Sequence, residues 1–184
     1  NFDRLIEEAL SVEGIIPDIV RGEFDIDGVK NYVHSDCFLL KLHGDYKDCR
    51  LRTSPSELAS YPPALSELLK RILQDFGLIV CGWSADYDPA LCQAVAVQSR
   101  NLYPVFWYAK GSLTSEARAV ISSRNAHIIE IGDANTALPT LAAKVEALAA
   151  DSTKPLNARP LADQVRELMS FPHPHVKLHE EFRR

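Results

Sequence analysis

Apolar positions recur along the chain in two alternating periods. Phe2, Leu5, Ile6 and Ala9 fall on one face at helical spacing, so Phe2–Leu10 is expected as a short helix closed by Gly14. Ile15–Val20 and Cys37–Leu42 are short apolar runs of strand character, the second stopping at His43-Gly44-Asp45. After Pro62-Pro63, the residues Leu65, Leu68, Leu69, Ile72, Leu73 and Phe76 form a continuous helical stripe, with Gly77 expected as its C-terminal cap. Leu78–Cys81 is then a strand ending at Gly82-Trp83-Ser84, and Asp88-Pro89 marks a new helix start. A strand at Tyr103–Tyr108, a helix near Ser115–Ser123 and a strand at Ala126–Ile131 follow. A last helix carries Leu138, Leu141, Ala142, Val145 and Leu148 on one face.

Strands that are nearly all apolar and alternate with helices predict an α/β fold, a Rossmann-like parallel sheet with helices on both faces. The boundary is expected near residue 150: an α/β domain over 1–150, then a linker at Asp151–Pro160, a short helix at Leu161–Met169 and a Pro/His tail leading to a further domain or lid.

The 184 residues, 46% hydrophobic and 24% charged, suffice for one domain with a sizeable core. A net charge of −5 argues against a nucleic-acid surface, and no apolar run reaches membrane-span length. Cys37, Cys49, Cys81 and Cys92 form no C-x-x-C pair, so neither zinc nor a redox dithiol is indicated, and a reduced, cytoplasmic protein is the expectation. His173, His175 and His179 read as an incidental solvated stretch rather than a metal cluster.

Candidate chemistry gathers at the ends of strands, where open parallel sheets bind ligands. Three polar turns fall there: His43-Gly44-Asp45, Gly82 to Asp88, and Gly132-Asp133-Ala134. His43 has the chemistry to take a proton from a hydroxyl near neutral pH. Asp3 suits the first turn of a helix as well as a ligand. Ser84 and Asp86 in the second turn suit ribose hydroxyls better than phosphate, while Asp88 reads as the helix cap. Trp83 and Trp107 read as packing residues.

The motifs N-F-D at Asn1–Asp3, K-L-H-G-D at Lys41–Asp45, G-W-S-x-x-D from Gly82 and I-G-D-A-N from Ile131 resemble, in this order, the second half of a sirtuin-like domain of the kind found in prokaryotic NAD-consuming proteins. The resemblance spans Asn1 to Ala149 and implies that the N-terminal part of the fold, with its Gly-rich dinucleotide-binding turn, lies outside this sequence. It implies that Asn1 positions the attacking water or ribose, Asp3 holds the nicotinamide carboxamide and His43 is the base or hydrogen-bond partner at the nicotinamide ribose. Gly44 and Asp45 join the cofactor-binding set; Gly82, Ser84 and Asp86 face the adenosine side; Asp133 and Ala134 border the adenine. NAD would be consumed as substrate, with no metal.

Zinc-bearing sirtuins carry two C-x-x-C pairs after H-G-D. Here only Cys49 lies between His43 and the next strand, which disfavours protein deacylation and favours NAD hydrolysis, as in an antiviral defence effector. Tyr108 stands where an Asn often contacts the cofactor. The parent protein is thus expected to be an NAD glycohydrolase and this chain alone inactive. A nucleotide sensor that does not cleave, a zinc-less deacylase, and a remnant whose sheet edge is completed by a partner or a second copy are the competing expectations.

Overall fold

The computed structural model describes residues 2–48, 51–52, 54–98 and 102–152. Asn1, Cys49 and everything from 153 onward, including the expected helix at Leu161–Met169 and the three tail histidines, lie outside the described residues. The elements in chain order are α1 (Leu5–Val12), β1 (Asp18–Val20), β2 (Phe38–Leu40), α2 (Pro55–Leu58), α3 (Pro63–Asp75), β3 (Leu78–Cys81), α4 (Pro89–Ala96), β4 (Val105–Ala109), α5 (Ser115–Arg124), β5 (His127–Glu130) and α6 (Ala134–Ser152). Short 3₁₀ turns sit at Glu23–Asp25, Tyr32–His34 and Tyr46–Asp48. Two compact units result, Asn1–Ala134 and Asn135–Arg184.

Every described strand pair is parallel. β1 pairs with β2 in one ladder, and β3, β4 and β5 pair in that order in a second. The α/β class and the Rossmann-like arrangement of parallel strands flanked by helices are as the alternating periods predicted. Burial along β4 alternates, with Val105, Trp107 and Ala109 inward, and with Val80 of β3 these residues meet Leu69 and Leu73 of α3, Val95 of α4, and Ala117, Val120 and Ile121 of α5. Trp107 is 2% exposed and stacks on Trp83, ring centroids 5.5 Å apart, so the packing role read for both tryptophans holds.

Local chemistry explains the element ends. Ser54 and Glu57 form a reciprocal capping box on α2. Thr114 caps α5, and Asn125 takes the left-handed conformation at its end. Arg124 turns back from α5 to donate to the carbonyl of Val95 (3.0 Å), satisfying an otherwise orphaned acceptor in the last turn of α4.

One expectation is corrected. Gly77 does not cap α3: Phe76 takes that place in an extended conformation, and Gly77 has an ordinary φ. Glycine allows a close approach there, since an added Cβ would lie a tight 3.1 Å from the carbonyl oxygen of Pro104, where β3 enters beside β4. The apolar positions of α1 are not core, since none of its residues is buried and Leu5 and Ile6 stay exposed. α1 is instead held by polar contacts to the turn after β2, which periodicity cannot register. The last helix begins earlier than its stripe suggests and accommodates Pro139. Thr140 Oγ1 donates back to the carbonyl of Thr136 (2.7 Å).

Truncating Trp107 to Ala removes the largest fully buried side chain. It is expected to cost about 3–5 kcal/mol, read as a fall in the urea midpoint at unchanged slope.

Candidate functional site

The turn after β2 rests on an ionic cluster. Asp45 is completely buried. It accepts from Arg4 Nε (2.9 and 3.1 Å), Lys41 Nζ (3.1 Å) and the backbone N–H of Lys47 (2.9 Å), with Arg21 Nε at 3.5 Å. Lys41, itself buried, also donates to Glu7 (2.8 Å) and to the carbonyl of Asp3. Burial pushes the Asp45 carboxyl up, but the Lys47 N–H and the Arg4 and Lys41 cations outweigh it and hold it well below the usual carboxylate range. Burial likewise works against the Lys41 ammonium, and Glu7 and Asp45 more than reverse it. Gly44, buried at φ +82°, makes the bend that sends Asp45 inward and leaves His43 facing out.

His43 reaches across to the start of α4. Its Nε2 lies 2.7 Å from Oδ2 of Asp88, whose residue is 2% exposed. The same oxygen accepts from the Tyr61 hydroxyl (2.7 Å), while Oδ1 accepts from the N–H of Leu91 (2.9 Å) and caps α4. Asp88 therefore does two jobs, and the cap that the sequence showed is only half of its role. Burial raises the Asp88 carboxyl; hydrogen bonds from His43, Tyr61 and Leu91 outweigh that and lower it. Burial, then the bond to Asp88, pushes the Tyr61 phenol upward, so it stays a protonated donor. An ionised carboxylate only accepts, so a neutral His43 carries its proton on Nε2 and offers the lone pair of Nδ1. Its side chain is 30% exposed, enough for a ligand to reach. The Arg52 guanidinium packs over the Tyr61 ring (5.8 Å), and the Arg52 backbone N–H donates to the carbonyl of His43 (3.1 Å).

Beyond the carboxyl ends of β3 and β4 lies a cavity of about 310 Å³. Gly82, Ser84, Asp133 and Ala134 all line it, as do Tyr108 and Lys110. The two later turns are thus brought to one rim. The loop that joins them to the histidine runs from Gly82, at φ +73°, through Ala85, a buried non-glycine residue at φ +66°. That left-handed alanine stores about 1–2 kcal/mol of backbone strain. Its carbonyl accepts from the Cys92 thiol (3.1 Å), and Thr114 Oγ1 donates to the carbonyl of Ser84 (2.6 Å), pinning the loop to the start of α5.

Other expected site residues sit apart from these. Asp86 is exposed, its N–H bonded to Ser84 Oγ (3.4 Å). The Asp3 carboxylate, one residue before the N-cap Arg4, accepts from the N–H of Leu5 (3.3 Å), so it lies just ahead of the first turn of α1 rather than in it. Asp45 has no exposed surface, and its oxygens are taken by protein donors. Asp88, Tyr61 and Lys110 were missed as site residues. For Asp88 the signal existed in D-P at a helix start, but a cap has a second oxygen whose partner no local pattern names. Among the described residues no group of three metal-ligating side chains occurs, and no helix is long and apolar enough to cross a membrane.

A family model of the SIR2-like domain matches residues 1–129, and the chain belongs to that family, whose members use NAD. No curated protein matches the chain.

Removing one partner from the buried cluster strands the others. Asp45→Ala is expected to destabilise by about 3–5 kcal/mol in urea unfolding. Because the carboxyls of Asp45 and Asp88 both lie below their unfolded values, their contribution is present above the unfolded carboxylate range. It is lost as pH falls through about 4 toward the lower folded values, so the thermal midpoint should drop on acidification over that interval.

Proposed function

We propose that the chain carries the reactive part of an NAD glycohydrolase, which cleaves the bond between nicotinamide and ribose and passes ADP-ribose to water. The observation that carries this reading is His43: partly open to solvent, held through Nε2 by a buried carboxylate, and presenting Nδ1 as a base. Family membership supplies the dinucleotide; the lack of two C-x-x-C pairs after H-G-D supports water rather than an acyl peptide as the acceptor.

The chemistry asks little of covalent catalysis. Nicotinamide departs as a neutral ring from an oxocarbenium-like transition state, so orientation and one positioned base carry most of the effect. His43 Nδ1 takes a proton from a ribose hydroxyl or from the attacking water. Asp88 stabilises the imidazolium that forms, and Tyr61, donating to the same Oδ2, holds that carboxylate in place. Asp88 and Tyr61 are positioning residues acting through His43. Gly82, Ser84, Asp133 and Ala134 border the adenosine end in the cavity beyond β3 and β4, and Lys110 stands at its edge. Asn1 and Asp3 fall to the nicotinamide end on the family resemblance. Asp45 and Gly44 act by shaping the turn that presents His43. Such an activity suits an antiviral effector acting in the cytoplasm.

Nicotinamide release from NAD by the intact natural protein tests the reading. His43→Ala is expected to lower kcat by about a hundredfold or more with binding retained. Release that is independent of any acyl-lysine peptide separates hydrolysis from deacylation. NAD binding without release would convert the reading to a sensor, and no binding would sink it.

Asp88→Asn gives a sharper result. The cap requires the amide oxygen to face the Leu91 N–H, so the NH₂ falls where Oδ2 was and donates to His43 Nε2. The ring is then driven to the Nδ1–H tautomer and loses its base. Expected is a kcat lower by about a hundredfold or more at nearly unchanged KM, with a lowered thermal midpoint because the Tyr61 hydroxyl loses its acceptor; an unchanged kcat would remove Asp88 from the mechanism.

A further inference from the structure

β4 ends on a fixed backbone. The N–H of Ile131 donates to the carbonyl of Ala109 (2.9 Å), so the last residue of the strand is tied to the chain leaving β5. Lys110 comes next and lines the cavity of about 310 Å³ beyond the strand. Gly111, at φ +76°, then turns the chain toward α5, and Ser112 lines the same cavity. Lys-Gly-Ser thus sets an ammonium and a hydroxyl at the rim, one on each side of a turn. Neither group is spent. Both residues are exposed, and among the described residues neither makes a hydrogen bond or ion pair through its side chain. The Thr114 hydroxyl beside them is engaged twice, donating to the Ser84 carbonyl and accepting from the Ala117 N–H (3.1 Å).

These groups bear on which ribose the cavity prefers. In dinucleotide-binding sheets a ribose with a free 2′-hydroxyl is read by a carboxylate that accepts from it, and a ribose 2′-phosphate by a cation. The acidic residue lining this cavity is Asp133, directly ahead of α6, where a carboxylate suits the N–H groups of the helix itself. At the end of β4 the side chain is a lysine. A phosphomonoester carries about −1.5 to −2 charges near neutral pH and three acceptor oxygens. An ammonium with three donors, together with a hydroxyl, matches that group in charge and in hydrogen bonding.

We propose that the protein selects the 2′-phosphorylated dinucleotide, NADP, over NAD, and that Lys110 is the residue that sets this specificity. Its ammonium pairs with the 2′-phosphate, and the Ser112 hydroxyl donates to the same group. The proposal rests on the glycohydrolase reading, which puts the adenosine end in this cavity. The bond that breaks is unchanged: nicotinamide leaves, water adds to the ribose, and the 2′-phosphate stays on the ADP-ribose product.

The test titrates the intact natural protein with ADP-ribose and with its 2′-phosphate, two ligands that differ in that one group. Trp83 and Trp107 line the cavity, so intrinsic fluorescence reports both titrations. Expected is a Kd lower by about tenfold or more for the 2′-phosphate, an advantage that shrinks as salt is raised. Lys110→Ala is expected to erase most of that advantage and Lys110→Arg to keep it. If a variant misfolds, the two ligands on the unaltered protein still decide. Equal affinities would overturn the proposal. So would a loss of the same size for both ligands in Lys110→Ala, which would place Lys110 on the diphosphate they share. Nicotinamide release separates the proposal from the reading beneath it. Release from NAD with an equal or lower kcat/KM for NADP would keep the glycohydrolase and overturn the preference. Release from neither, with the 2′-phosphate still bound more tightly, would overturn the glycohydrolase and uphold the role of Lys110.

Discussion

One buried carboxylate organises the candidate site. Asp88 sits at the start of α4, where the helix supplies N–H donors and a favourable dipole for an anion, and it divides its two oxygens between separate tasks. Oδ1 fixes the helix start. Oδ2 gathers a histidine from the turn after β2 and a tyrosine from the segment before α3. Without the anion, Tyr61 and His43 would have no common acceptor, and three segments distant in sequence would lose their shared point of reference. The burial that makes the charge costly is offset by three donors, which is why it stays ionised.

The second buried anion, Asp45, works on the backbone. Two residues beyond His43, it collects Arg4 and Lys41, and Lys41 in turn holds Glu7 and the carbonyl of Asp3. The polar first turns of α1 are thereby tied to the turn that presents the histidine. Gly44 at φ +82° lets neighbouring side chains take opposite duties, one inward to the ions and one outward to Asp88. In H-G-D the histidine meets Asp88, the glycine makes the bend and the aspartate provides the anchorage. The Gly82–Asp88 loop then connects this histidine to the cavity beyond β3 and β4, with strain at Ala85 held by packing and by the bond from Cys92.

Much of the fold was legible because periodicity records burial. The stripe of α3 and the apolar run of β3 were placed within a residue or two, since Leu65, Leu69, Leu73 and Val80 are core. α1 was foreseen as a short helix from the same spacing, but its apolar residues have no described surface to pack on, and its anchoring is ionic. The split of the strands into two ladders was not legible, because a local pattern fixes a strand and not its neighbour. In the site, H-G-D drew notice to His43, which the structure sets against Asp88, and the two later turns line one cavity without the histidine. Tyr61 lay in a Ser/Pro-rich stretch without any signal, and Asp88 was hidden behind its own cap.

The central claim is that Asp88 fixes which nitrogen of His43 is basic, and nitrogen-15 NMR of the imidazole reads this directly. The account predicts a neutral ring protonated at Nε2 and bare at Nδ1, with the pattern reversed in Asp88→Asn. A ring protonated at Nδ1 in the unaltered protein would contradict it, because His43 would then face substrate with a donor where a base is needed.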